Sequence, residues 1–201
     1  MEKEAIIIFQ KNPEKGKVKT RLSAEIGEEK ALEVYKSLCN LTYKACNAWE
    51  GTKFLFFDSY LPQNKILGTE NYNYQVQGKG DLGYRMEEAF QRIFKQGFEK
   101  VILIGTDCPE LTSDHLKEAF LQLENYRIVI GPAKDGGYYL IGAKRETPPV
   151  FKGIPWSTDQ VLKLTRKKLE TLGLSYGELE TLSDIDTKKD WDHFKEFLTN
   201  K

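Results

Sequence analysis

Apolar residues fall along this chain in two alternating rhythms. Short unbroken runs, Ala5–Phe9 and Val101–Ile104 among them, recur between longer stretches whose apolar positions return every three or four residues. An unbroken run bounded by turn signals reads as a strand buried on both faces of a sheet. Strands are therefore expected at 5–9, 53–58 and 101–106, with 72–77 a weaker, alternating one. Ala31, Val34, Leu38, Leu41, Ala45 and Ala48 form one helical stripe over 28–49. Further helices are expected over 84–96, over 114–124 with Thr112 or Ser113 as cap, over 158–172 and over 187–198. Strand-like 127–130 and 138–141 flank a loop containing Asp135-Gly136-Gly137. Strands separated by helices of this length imply βαβ units and a central, mainly parallel mixed sheet flanked by helices, an α/β fold. No repeat, linker or low-complexity tract interrupts residues 1–201, so one domain is expected.

Composition narrows the function classes. A chain of 201 residues can bury a sizeable core without disulfides or structural metal. Thirty basic and thirty acidic residues cancel, which argues against a partner that is nucleic acid or a membrane surface. No stretch approaches the ~18 apolar residues of a membrane span. Cys39, Cys46 and Cys108 form no CxxC pair, and a reducing cytoplasm is the expected location. His115 and His193 are expected on exposed polar helix faces, so neither a histidine triad nor a zinc site is anticipated.

The candidate chemistry lies at strand ends. In open α/β sheets, ligands bind outside the carboxyl ends of the strands. Asp107 stands at such an end, in Gly105-Thr106-Asp107-Cys108-Pro109-Glu110-Leu111. A carboxylate there is costly unless it meets a cation, typically a hard metal carrying phosphate oxygens. Capping of the next helix is the plainer alternative. Beyond the first strand, Lys11, Lys15, Lys17, Lys19 and Arg21 place five cations within eleven residues, suited to polyphosphate oxygens. Gly16 would let backbone N–H groups approach the anion. A solvated basic loop is the alternative, and no GxxxxGK[ST] phosphate loop is present. Gly78-Lys79-Gly80-Asp81-Leu82-Gly83 matches GxGxxG, but polar Asn73, Gln75 and Gln77 precede it where a buried first strand should be. Asp135, Gly136 and Gly137 form a polar rim near Tyr138 and Pro132. Asp184 and Asp186 flank Ile185; one is expected inward and the other capping or solvated. An inward Asp186 beside Asp107 would make a two-carboxylate site for Mg²⁺ or Mn²⁺.

Together these pieces resemble the nucleotide-diphospho-sugar transferase (glycosyltransferase A) superfamily and, within it, the glycosyltransferase-like DUF2064 family. The resemblance rests on Gly16-Lys17-Val18-Lys19-Thr20-Arg21-Leu22, Gly80-Asp81-Leu82-Gly83-Tyr84-Arg85-Met86 and Ile104–Leu111. It continues through Gly131–Gly142, Ile154-Pro155-Trp156-Ser157-Thr158 and Asp184-Ile185-Asp186-Thr187. It implies a glycosyltransferase A fold, a nucleotide over the first half of the sheet and a divalent metal on Asp107. In those terms Gly16, Lys19, Arg21, Asp81, Gly83 and Arg85 would hold a nucleotide, and Gly136, Gly137, Trp156 and Ser157 a small-molecule acceptor. Asp107 and Asp186 would bind the metal, and Asp135 would serve as base. Thr106-Asp107-Cys108 departs from the Asp-x-Asp motif usual in glycosyltransferases of this fold, which makes Asp186 the replacement acid. Glycosyl transfer from an NDP-sugar is the leading expectation, nucleotidyl transfer from an NTP the competitor, and a non-catalytic nucleotide-binding domain the third.

Overall fold

The computed structural model describes residues 3–199. In chain order the elements are β1 (Glu4–Gln10), α1 (Thr20–Ile26), α2 (Glu28–Asn47), β2 (Thr52–Phe57), β3 (Asn73–Val76), α3 (Leu82–Phe94) and β4 (Lys100–Ile104). They continue with α4 (Ser113–Asn125), β5 (Ile128–Pro132), β6 (Tyr138–Lys144), α5 (Val161–Thr171), β7 (Tyr176–Glu178) and α6 (Lys188–Thr199). The strands form a seven-stranded sheet in the order β3-β2-β1-β4-β6-β5-β7. β6 runs antiparallel to both its neighbours, and the other pairings are parallel. This is the mainly parallel mixed sheet that the alternation of strand and helix implied.

The unbroken apolar runs are explained by burial on both faces. In β1, Ile6 and Ile8 pack with Tyr35, Cys39, Phe120 and Leu123 on one side of the sheet. Ala5, Ile7 and Phe9 pack with Phe90, Ile93 and Phe151 on the other. Period-two alternation thus sends neighbouring residues into two cores rather than one core and solvent. A third cluster joins Leu22, Ala31, Val34 and Leu38 to Ile185 and Phe194. It ties α1 and α2 to the chain's late return across the sheet.

Strand order decides where a ligand can sit. From β1 the chain steps outward to β2 and β3, then crosses back to β4 on the other side of β1. The loops leaving β1 and β4 therefore diverge, opening a crevice at their carboxyl ends. Lys19 and Asp107 come from those two loops. Two elements were not foreseen. α1 begins within the charged stretch read as a loop and runs on past it to Ile26, and β7 is a three-residue edge strand. Among the described residues, no helix is long and apolar enough to cross a membrane.

Candidate active site

Lys19 occupies the N-cap of α1 in the left-handed region, φ 48 and ψ 46. That conformation is uncommon for a residue with a Cβ and is held only where the surroundings over-determine it. Its side chain is 4 % exposed, and its Nζ lies 2.6 Å from Asp107 Oδ1. The same ammonium donates to Ile185 O at 2.6 Å. Lys19 is thus a buried cation at the start of a helix, not a member of a solvated loop. Arg21, in the first turn of α1, donates to Asp186 Oδ2 at 2.7 Å. Gly16 has φ +76, and an added Cβ would meet the Glu28 carboxylate at 3.1 Å. It serves the turn leading to α1.

The floor beneath the crevice is fixed by neutral hydrogen bonds. The Tyr35 hydroxyl accepts from Lys11 N–H at 2.8 Å and donates to Lys11 O at 3.1 Å. Asn12 Oδ1 accepts from Ser59 and Tyr60 N–H, which ties the β1 loop to the β2 loop. Burial pushes the Tyr35 hydroxyl pKa up, so it stays protonated.

The acids arrive from three segments. Asp107 follows β4 and has a half-exposed side chain. Asp135 sits in the β5–β6 turn, its Oδ1 accepting from Gly137 N–H at 2.8 Å. Asp184 rides on residues 182–186, which cross the carboxyl ends of β4 and β5. Leu182 pairs with Ala133 there, and Ile185 N–H donates to Asp107 O at 3.0 Å. Burial, then the like charges of Asp107 and Asp135, push the Asp184 carboxyl up to about 7, with Lys19 opposing. Ile185 is fully buried beneath it. The inward acid among these carboxylates is therefore Asp184, while Asp186 turns to Arg21. Period two puts both flanking acids on the face opposite Ile185, and the ion pair with Arg21 then draws Asp186 aside. Thr187 and Asp190 cap α6 reciprocally, Asp190 Oδ2 accepting from Thr187 N–H at 2.8 Å.

The remaining candidates form two groups. Asp81 caps α3, its carboxylate accepting from Tyr84 N–H at 2.8 Å. Arg85 donates to Gln77 Oε1 at 3.0 Å and reaches only the backbone carbonyl of Asp81. The GxGxxG stretch follows the edge strand β3, so it does not occupy the first-strand turn of a dinucleotide fold. Gly83 is buried where a Cβ would meet Trp156 Nε1 at 2.4 Å and Phe151 O at 2.7 Å. Trp156 packs edge-on against Tyr138 with ring centroids 6.3 Å apart. Gly136, at φ +88, lies against the Asp159 backbone, and Ser157 is exposed at φ 64. His115 is not the exposed side chain expected. Its ring accepts from Thr112 N–H at 3.0 Å and meets Glu180 Oε1 at 2.5 Å, because the α4 capping box draws it in. Two residues at the site were not picked out from the sequence, Tyr35 and Glu110. Glu110 Oε2 accepts from Ser183 N–H at 2.7 Å. Glu110 lies in the Asp-x-Pro-x-Leu turn, but nothing in the sequence names its partner.

Known proteins sharpen this picture. No curated protein matches the chain. Among solved structures, a candidate nucleotide-diphospho-sugar transferase from Desulfovibrio desulfuricans G20 is 32% identical, with a TM-score of 0.86. That match covers 100% of this chain and 89% of the other. The inositol-1-phosphate CTP transferase from T. maritima matches at 16% identity and TM-score 0.57, covering 100% and 96%. Rv0371C of Mycobacterium tuberculosis H37Rv, solved with manganese, matches at 15% and 0.55, covering 97% and 98%. The last two share the fold at identities too low to carry more. Residues 42–158 match the family model described as an uncharacterized protein conserved in bacteria. With more than half its length inside that match, the chain belongs to the DUF2064 family.

Proposed function

We propose that this chain is a divalent-cation-dependent transferase that uses a nucleotide donor, passing the glycosyl group of an NDP-sugar to a small acceptor. One observation carries the reading. Buried Lys19 and the acids Asp107 and Asp184 converge at the point where the sheet order reverses, with Arg21 beside them. Cations and acids brought together at such a crevice suit a phosphate-borne leaving group and its counter-ion. The name of the 32% relative supports a nucleotide-sugar donor.

A cation fits the acids present. Among the described residues no three His, Cys, Asp or Glu side chains form a ready cage. Mg²⁺, however, takes one or two carboxylates and fills its sphere with water and substrate phosphates. Burial, then the like charges of Asp107 and Asp135, raise the Asp184 carboxyl pKa, and Lys19 offsets them only in part. Asp107 and Asp184 would hold Mg²⁺ or Mn²⁺, which when bound neutralises charge developing on the departing diphosphate. Lys19 and Arg21 would bind the donor's phosphates as charge-assisted donors. Asp81, Gly83 and Arg85 would border the nucleotide, and Gly136, Gly137, Trp156 and Ser157 the acceptor. The bond between the sugar's anomeric carbon and phosphate oxygen breaks, and one to an acceptor hydroxyl oxygen forms. The hydroxyl proton passes to Asp135, whose Oδ2 is left over from the turn. The three buried free cysteines suit a reducing cytoplasm, and the single sheet suits one domain.

A second reading has its own support. Asp107 has no acidic neighbour within the 106–108 motif, and Lys19 is buried against it, an arrangement equally suited to an α-phosphate. In nucleotidyl transfer an acceptor phosphate would attack there and pyrophosphate would leave, with no base required. Incubation of the protein and Mg²⁺ with pooled NDP-sugars, then with the four NTPs, separates the readings by product. Release of nucleoside diphosphate supports glycosyl transfer, and pyrophosphate alone overturns it in favour of nucleotidyl transfer. Neither product, even with small acceptors added, would leave a binding module.

A further inference from the structure

Residues 182–186 carry Asp184 but lie in no helix and, apart from the single Ala133–Leu182 bridge, in no strand. The placement of Asp184 therefore depends on a few separate contacts. Three are between backbones: Leu182 N–H to Pro132 O at 3.1 Å, Lys134 N–H to Leu182 O at 3.0 Å and Ile185 N–H to Asp107 O at 3.0 Å. Three come from side chains to this backbone. Lys19 donates to Ile185 O, Glu110 Oε2 accepts from Ser183 N–H at 2.7 Å, and Asp190 Oδ2 accepts from Asp186 N–H at 3.2 Å. These side chains differ in what else they serve. Lys19 is shared with Asp107 and, in the reading above, with the donor's phosphates. Glu110 Oε2 accepts from a backbone donor for which no phosphate competes.

Glu110 also belongs to the turn that presents Asp107. Asp107 and Glu110 are three residues apart around Pro109, one turned to the crevice and the other to the crossing segment. Cys108 is buried between them in the turn. One turn thus bears the first acid and grips the backbone of the second.

We infer that Glu110 is a positioning residue for the cation site, its carboxylate holding Ser183 N–H so that Asp184 is set against Asp107. The inference rests on the reading of Asp107 and Asp184 as the cation's ligands. Glu110 acts through geometry and not through its charge, which separates two conservative variants. Glu110→Gln keeps an oxygen acceptor of the same reach and loses the charge. Glu110→Asp keeps the charge and shortens the reach by one methylene.

The test titrates Mn²⁺ alone into wild-type and variant full-length protein, following free Mn²⁺ by its paramagnetic resonance. Hydrogen exchange of the 182–185 amides is measured alongside, without metal. Glu110→Gln is expected to bind Mn²⁺ within about twofold of wild type and to protect those amides equally. Glu110→Asp is expected to bind roughly tenfold more weakly, as for loss of a partner that orients a ligand, and to exchange faster at 183–185. The reverse ranking, Gln weak and Asp intact, would overturn the inference by showing that charge is what matters. Equal Mn²⁺ binding in both variants overturns it too, and leaves the cation reading standing. Wild type that takes up no Mn²⁺ overturns both.

Discussion

Lys19 Nζ lies 2.6 Å from Asp107 Oδ1, so the carboxylate expected to hold a cation is already paired with one that the chain supplies itself. The ammonium is buried and the carboxylate half-exposed, so the pair sits partly out of water, where charge interactions are strong. A metal held at Asp107 would therefore compete with Lys19, and a donor phosphate would draw Lys19 away. Lys19→Met should bind Mn²⁺ alone more tightly than wild type. It should bind the nucleotide about 10- to 150-fold more weakly, the loss of one charge-assisted contact. Calorimetric titration of each ligand separately checks both. Unchanged or weaker Mn²⁺ binding in Lys19→Met would show that the ion pair does not guard the site.

Asp184 gives the site a pH dependence of definite sign. Its folded pKa is about 7 against a reference of 3.8, so between those values the folded state holds a proton that the unfolded state has lost. Its contribution to stability is thus fully present below about pH 4 and is lost as pH rises to about 7. In metal-free protein, Asp184→Asn should match wild-type thermal stability near pH 4 and exceed it at pH 8. With Mn²⁺ the order changes, because cation binding requires the ionised form and should tighten as pH rises through about 7. Parallel wild-type and Asp184→Asn melting curves across pH 4–8 would refute the burial of this carboxylate.

How much of this was legible in the sequence depends on what each residue answers to. The strands were legible because runs such as Val101–Ile104 are buried on both faces and answer only to hydrophobicity. Asp107 was legible because a strand end and a following Pro109 fix its place. α1 was not, because its start lacks a capping side chain and Lys19 enters it in a left-handed conformation that local propensity disfavours. The choice between Asp184 and Asp186 was left open, with Asp186 preferred. It turns on Arg21, whose pairing with Asp186 is a contact across 165 residues of chain. Glu110's grip on Ser183 is long-range in the same way. Gly83 was marked by its motif, yet its physical reason is a tryptophan 73 residues later.

That tryptophan supplies a third prediction. An added Cβ at Gly83 would lie 2.4 Å from Trp156 Nε1 and 2.7 Å from Phe151 O, and the second of these is backbone. Gly83→Ala should therefore destabilise by about 1–3 kcal/mol, as overpacking does, and should displace the indole. A cycle with Trp156→Phe tests the pairing. The alanine should cost less when the indole is gone, with a remainder from the carbonyl. Full additivity would mean that Trp156 is not what glycine accommodates.

The two acids flanking Ile185 should part company under mutation. Asp184 is packed among carboxylates and is proposed as the second metal ligand. Asp186 forms an ion pair with Arg21 whose side chains are 46% and 69% exposed. Exposed pairs contribute little to stability, typically under about 1 kcal/mol. Asp186→Asn and Arg21→Ala should thus both melt close to wild type. Arg21→Ala should weaken nucleotide binding while leaving Mn²⁺ binding intact, since its guanidinium is proposed to hold phosphate and pairs with Asp186 rather than Asp107. Asp184→Asn should abolish Mn²⁺ uptake, whereas Asp186→Asn should retain most of it. If Asp186→Asn instead loses the metal and Asp184→Asn keeps it, the segment must rearrange on binding. Ile185 would then have to leave the core it shares with Leu22 and Leu38, and exchange at its amide would rise on adding Mn²⁺. Measuring that exchange with and without the ion decides whether the acids work from the positions they hold.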